Sequence, residues 1–143
     1  MILSRVKKEV LKMKDLKNGL KNEVIATADE NRLAVNMGSG TLPVLATPAV
    51  AALMEKAACE LVQPYLDDGI TTVGTMINIE HLKATPCGAE IRAEAVLIET
   101  EGRKYVFALE AYDSAGLIAK GTHERFAVKA DRFMEKTEQR ITK

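Results

Sequence analysis

Apolar positions recur at two different spacings along this chain, and the change of spacing divides it. Residues 49–62 contain no glycine and are rich in good helix formers. On a helical wheel Lys56, Glu60 and Gln63 share one narrow polar stripe, while Val50, Leu53, Met54, Ala57, Ala58 and Leu61 cover much of the rest. A helix apolar around most of its circumference is a buried helix. Thr47-Pro48 supplies a capping residue followed by proline at the first helical position. Pro64 and then Asp67-Asp68-Gly69 end the run. Beyond residue 70 the period becomes two. Residues 71–84 set Val73, Ile77 and Ile79 on one face, and residues 90–99 set Ile91, Ala93, Ala95 and Leu97 together. Residues 104–112 align Tyr105, Phe107 and Leu109, and residues 117–128 form a last long strand. The turns at Glu101-Gly102 and at Asp113-Ser-Ala-Gly116 join neighbouring runs as hairpins, so much of the sheet is antiparallel.

Upstream the signals are weaker. Leu3, Val6, Val10, Leu11 and Met13 suggest a short amphipathic helix over residues 3–14. Residues 21–28 read as a strand. Residues 29–45, with Gly38, Gly40 and Pro43, read as loop. The polar tail from residue 131 ends in a helix. The expected layout is α+β, one long central helix against one curved antiparallel sheet. A chain of 143 residues suits one domain. Its expected bounds are residues 17–143, preceded by an extension over residues 1–16.

Composition narrows the partners. Twenty Lys and Arg balance twenty Asp and Glu, so no global positive field draws in nucleic acid. Cys59 and Cys87 do not make a disulfide framework. No apolar run is long enough to span a bilayer. The first residues are broken by charge too often for a signal peptide, which makes the cytoplasm the expected location and leaves no membrane partner. Cysteines and histidines at positions 59, 81, 87 and 123 match no standard zinc spacing, and no P-loop or dinucleotide fingerprint is present. No metal and no separate cofactor is expected.

Three residues break the pattern. Glu55 lies on the long helix about 100° from Lys56, away from the solvent stripe. Its neighbours three and four positions away are Ala51, Ala52, Ala58 and Cys59. A partly desolvated carboxylate there suits proton transfer, although on geometry alone an edge position or an ion pair is the commoner explanation. His81 shares strand parity with Ile77 and Ile79, so it points at the core face. Val73 is counted on that same face. Lone histidines there are more often structural, yet histidine changes charge closest to neutral pH. Thr47 is explained by its capping role alone. The same geometry also sets a hydroxyl beside unpaired N–H groups at the positive end of a helix. His123 and Arg125 share parity near the end of the last strand, where an arginine could grip a phosphate, a carboxylate or a surface acid.

Five segments carry a resemblance. They are Val44 to Ala58 (Val-Leu-Ala-Thr-Pro-Ala-Val-Ala-Ala-Leu-Met-Glu-Lys-Ala-Ala), Thr72-Val-Gly-Thr75, His81-Leu-Lys-Ala-Thr-Pro86, Glu101-Gly-Arg-Lys104 and Gly121-Thr-His-Glu-Arg125. In order and spacing the chain resembles the fluoroacetyl-CoA thioesterase-like group of hotdog-fold proteins, from about residue 17 to residue 135. The resemblance implies a hotdog fold and dimers, which often pair further, with sites at the subunit interface. It implies a Thr/Glu/His triad, which falls on Thr47, Glu55 and His81. It places Gly74 near the thioester carbonyl as an oxyanion donor and associates Arg125 with the CoA portion. The fluoroacetate-specific member carries phenylalanines in the loop before the helix. Residues 38–43 here hold none, so fluoroacetyl-CoA is not the expected substrate.

The expected activity is hydrolysis of an acyl-CoA thioester to free acid and CoA, the CoA being part of the substrate. A hotdog protein that binds acyl-CoA as a sensor without hydrolysing it is the alternative. A hydratase would carry a different Asp/Glu–His motif, and a purely structural dimer would gain nothing from a glutamate on an apolar helix face.

Overall fold

The computed structural model describes residues 16–141, and the helix expected over residues 3–14 lies outside them. Strand β1 (Lys21–Thr27) is followed by a 3-10 turn (Glu30–Arg32) and one helical turn (Ala34–Met37). The long helix α1 (Thr47–Val62) comes next, then β2 (Ile70–His81), β3 (Glu90–Glu101), β4 (Lys104–Asp113), β5 (Gly116–Lys129) and helix α2 (Ala130–Gln139). The five strands form one sheet in the order β1-β3-β4-β5-β2, and every adjacent pair is antiparallel. Residues 29–45 are therefore not plain loop. They hold two short turns, closed at Gly38 with φ of 77°, a left-handed conformation that glycine adopts without penalty.

Helix α1 lies across the inner face of the sheet, mainly over β1 and β3. Val50, Met54, Ala57, Ala58 and Val62 have no exposed surface, and nor do Ile91, Ala93, Ala95, Leu97 and Phe107 opposite them. Alanines on both sides bring the helix close to β3, and the larger side chains fill the ends. Each fully buried Val, Leu, Ile, Phe or Met contributes roughly 1.5–3 kcal/mol relative to exposure. The Asn22 amide donates to the Ala57 carbonyl at 3.0 Å and ties β1 to the middle of the helix. Lys56 and Glu60 of the expected solvent stripe are exposed, whereas Gln63 is half-buried and donates to the Ile70 carbonyl at 2.9 Å.

One expectation of parity is corrected. Val73 was expected on the face of Ile77 and Ile79. The pairing of β2 with β5 shifts between Gly74 and Met76, so Thr75 is an extra residue, a β-bulge. Thr72 and Gly74 pair with Ala127 and Arg125 before the bulge, and Ile77, Ile79 and His81 pair with His123, Gly121 and Ala119 after it. The period of two restarts at Thr75. Gly74 and His81, at even and odd positions, thereby share the inner face, and Val73 turns to the outer one.

Because α1 covers β1 and β3, the inner side of β2 is left open. Residues 74–78 are exposed, including Met76 and Ile77. β2 is also an edge strand, with β5 on one side and no strand on the other.

Candidate active site

The site is built where α1 faces β2 and β5. Helix α1 starts at Thr47, with Ala46 as its cap residue and no side-chain cap hydrogen bond. The capping role expected for Thr47 is thus replaced. Pro48 sits one position further in, and the freed Thr47 hydroxyl lies 2.7 Å from Nδ1 of His81. The Nε2 atom of His81 is buried and has no hydrogen-bond partner among the described residues. Beside this pair is a hollow of about 240 Å³ walled by Val44, Leu45 and Leu82.

Glu55 lies eight residues further along α1, about 12 Å at 1.5 Å per residue. It is half-buried and makes no ion pair with a described residue. Its carboxylate faces Gly74. A methyl group built on Gly74 would lie 2.9 Å from Glu55 Oε2, 3.2 Å from His123 Cε1 and 3.3 Å from Arg125 Nη1. Real side chains essentially never make the first of these contacts, so glycine here lets an acid, an imidazole and a guanidinium approach the strand closely.

Arg125 is pinned on three sides. Its Nε donates to the Thr72 hydroxyl at 2.8 Å, Nη2 to the Thr72 carbonyl at 3.0 Å, and Nη1 to His123 Nε2 at 3.1 Å. The partners fix the tautomer of His123. Its Nδ1 lies 2.7 Å from the carbonyl of Met76, which can only accept, so Nδ1 carries the proton and Nε2 accepts from Arg125. Burial pushes the His123 imidazole below its ordinary range. The bond to Met76 opposes that shift, and the Arg125 charge adds to it. His123 is fully buried, with the Phe107 ring 5.9 Å away. A neutral histidine therefore holds both the guanidinium and the first residue after the bulge.

The structure thus brings Thr47 to His81, and Glu55 to Gly74 and Arg125, as two clusters two helical turns apart. His123 and Thr72 were undervalued by sequence reasoning. The shared parity of His123 and Arg125 was the available signal; their meeting with Glu55 was not, because it depends on how α1 crosses the sheet. Cys59 and Cys87 are free thiols, one half-buried and one exposed. Among the described residues no group of three or more His, Cys, Asp or Glu is placed to hold a metal ion, and no helix is long and apolar enough to cross a membrane.

The family described as fluoroacetyl-CoA-specific thioesterase matches residues 28–131. The fluoroacetyl-CoA thioesterase of Streptantibioticus cattleyicolor is 36% identical over 97 residues, covering 68% of this chain and 70% of that protein. A crystal structure of the fluoroacetyl-CoA thioesterase FlK superposes with a TM-score of 0.84 at 28% identity, covering 89% of this chain and 98% of that one. A thioesterase superfamily member from Thermus thermophilus shares the fold, with a TM-score of 0.81 at 23% identity over 89% of this chain and 94% of that one. The chain belongs to the fluoroacetyl-CoA-specific thioesterase family, thioester hydrolases with the hotdog fold.

Proposed function

We propose that the protein hydrolyses an acyl-CoA thioester beside Gly74. The observation that carries this reading is the Glu55 carboxylate facing Gly74 together with a buried, fully oriented Arg125. The thioester carbonyl would lie at Gly74, its oxygen toward the strand N–H and the developing negative charge near the guanidinium. Glu55 would take a proton from water as the water oxygen attacks the carbonyl carbon. The tetrahedral intermediate would then expel sulfur, and the proton taken up by Glu55 would pass to the CoA thiolate, with His81, oriented by Thr47, assisting that transfer. The products are a carboxylic acid and CoA. Direct attack by Glu55, with water hydrolysing the resulting anhydride, uses the same groups.

Arg125 is 7% exposed, so its contact with a CoA ester would be at the thioester end rather than at the phosphates. The distance along α1 between Glu55 and the Thr47–His81 pair favours a site completed by a second copy. The open side of β2 and its unpaired edge are where a homodimer would close it. The loop before α1 presents Leu42, 63% exposed, and no aromatic residue, which supports an acyl group other than fluoroacetyl.

The test is release of CoA, read with a thiol reagent, from acyl-CoAs that include acetyl, fluoroacetyl, long-chain and aryl esters, with Glu55→Gln alongside. Turnover that disappears in the variant is the expected result. Full activity in Glu55→Gln would overturn the mechanism. Preference for fluoroacetyl-CoA over acetyl-CoA would overturn the substrate reading alone.

A further inference from the structure

Gly74 has a counterpart on β5 that the site above does not use. Gly121 faces the same inner side of the sheet, in line with Ala119, His123 and Arg125. Neither glycine has a positive φ, so the space around each explains the residue, not its dihedral freedom. A methyl group built on Gly74 would meet the ends of three side chains. One built on Gly121 would meet backbone. It would fall on the Asn78 carbonyl oxygen and lie 3.0 Å from the Asn78 carbonyl carbon and from the Ile79 Cα. The end of a side chain can rotate away. A carbonyl in a strand ladder moves only if the strand moves.

That contact is foreign to a flat sheet. Side chains stand roughly perpendicular to the sheet, and the neighbouring strand runs about 4.8 Å to the side. Asn78 pairs with Thr122, and Ile79 with Gly121. The Asn78 carbonyl therefore reaches the inner side of Gly121 only because β2 leaves the plane of the sheet there and bends toward α1. The outer side records the same bend. A hollow of about 430 Å³ opens at this point, with Asn78, Glu80, Lys120, Gly121 and Thr122 in its wall. The strand is not fraying. Beyond the bend the N–H groups of Leu82 and Lys83 both donate to the Ile118 carbonyl, at 2.7 and 3.2 Å.

The bend delivers His81. This last residue of β2 lies two positions beyond Ile79, about 6.6 Å at 3.3 Å per residue. Its Nδ1 is 2.7 Å from the Thr47 hydroxyl at the start of α1, and its Nε2 has no partner among the described residues. With one hydrogen bond on the ring, its place is set by the path of the strand. A strand passing flat beside β5 would draw the imidazole away from α1.

We infer that Gly121 is a positioning residue for the reaction: by carrying no side chain it lets β2 bend toward α1, and the bend brings His81 to Thr47. It acts through the backbone of Asn78 and Ile79, not by contact with substrate. The inference rests on the thioesterase reading above and on the role of His81 within it. Misplacing a reacting group by about 1 Å can cost roughly a hundredfold in rate.

The experiment compares wild type, Gly121→Ala, His81→Ala and the double variant. The readouts are kcat and KM for an acyl-CoA that wild type hydrolyses, and the nitrogen-15 spectra of the two imidazoles. Gly121→Ala should lower kcat about tenfold to a hundredfold, with KM within about twofold of wild type. The double variant should be no slower than His81→Ala alone, because both changes remove one contribution. In Gly121→Ala the His81 ring signals should move. Those of His123, bonded to Met76 and Arg125, should stay, a pattern that general loosening of the sheet does not give. Wild-type kcat in Gly121→Ala, multiplied losses in the double variant or unmoved His81 signals would overturn the inference and leave the thioesterase reading intact. Undiminished activity in His81→Ala would overturn the role of His81 and the inference with it. If wild type hydrolyses no ester, the thioesterase reading fails and the spectra alone decide on Gly121. If Gly121→Ala does not fold, wild type carries the test. Both α-protons of Gly121 should then show cross-peaks to the Ile79 α-proton, and the His81 ring to the Thr47 side chain; absence of either overturns the inference.

Discussion

The two clusters along α1 are organised in opposite ways. At Glu55 the surrounding groups are wired in series: Thr72 holds Arg125, His123 holds Arg125, and Met76 holds His123. At the start of the helix one hydrogen bond joins Thr47 to His81, and the outer nitrogen of that imidazole is left without a partner among the described residues. The first is preorganised and cannot adjust without breaking buried bonds, which leave costly unpaired groups. The second is adjustable and unfinished. Charge stabilisation belongs at the rigid end, and proton delivery to a departing group tolerates the movable one.

The contrast can be broken at its strongest point first. Glu55→Gln keeps the shape of the rigid end and removes its base, and kcat should fall about a hundred- to ten-thousand-fold with the thermal midpoint little changed. Gly74→Ala should follow. Its methyl group displaces Glu55 or Arg125, so kcat should fall roughly ten- to a hundredfold, mostly without change in KM.

His123→Leu acts on stability. It leaves the Met76 carbonyl and Arg125 Nη1 unpaired and should cost about 1–3 kcal/mol in urea unfolding. It also has a pH signature. The folded imidazole titrates below its ordinary value of 6.5, so the unfolded chain takes up the proton first as pH falls. Stability from this group is full above 6.5 and declines as pH drops from there toward the folded value. Arg125, Glu55 and Glu124 are the charged groups acting on the ring. The difference in unfolding free energy between wild type and His123→Leu should therefore shrink on acidification. A constant difference between pH 7 and pH 5 would contradict the neutral tautomer.

The smallest effect is expected at the loose end. Thr47→Val removes one exposed hydrogen bond, and kcat should drop no more than about tenfold. Because Thr47 does not cap α1, unfolding free energy should move by less than about 0.5 kcal/mol, where loss of a true cap costs about 1 kcal/mol.

The elements of this fold were legible wherever the pattern was local. The apolar sweep of residues 49–62 and the alternation in β3 and β4 identified the buried faces from sequence. The order of strands was not, because β1 pairs with β3 across the whole of α1 and β2, and no short-range signal encodes that. The bulge at Thr75 escaped because threonine is an ordinary strand residue. Its effect on parity placed Val73 on the wrong face. Glu55 and His81 stood out as polar residues at apolar positions. His123 did not stand out as much, although it is the more deeply buried of the two histidines. What decides its role is the pair of atoms at its two nitrogens, one from Met76 on β2, 47 residues away in sequence, and one from Arg125, two residues further along β5.

The bulge acts as slack in β2. Gly74 and Met76 already oppose Arg125 and Glu124, which are neighbours on β5, so deleting Thr75 alone would leave a regular ladder with every later residue on its present face. His81 would still point toward Thr47, and Gly74 would stay beside Glu55. Inserting one residue between Met76 and His81 has no such slack to draw on: it demands a second bulge or turns His81 outward. The strand can thus lose one residue and keep the two halves of the site together, but it cannot gain one.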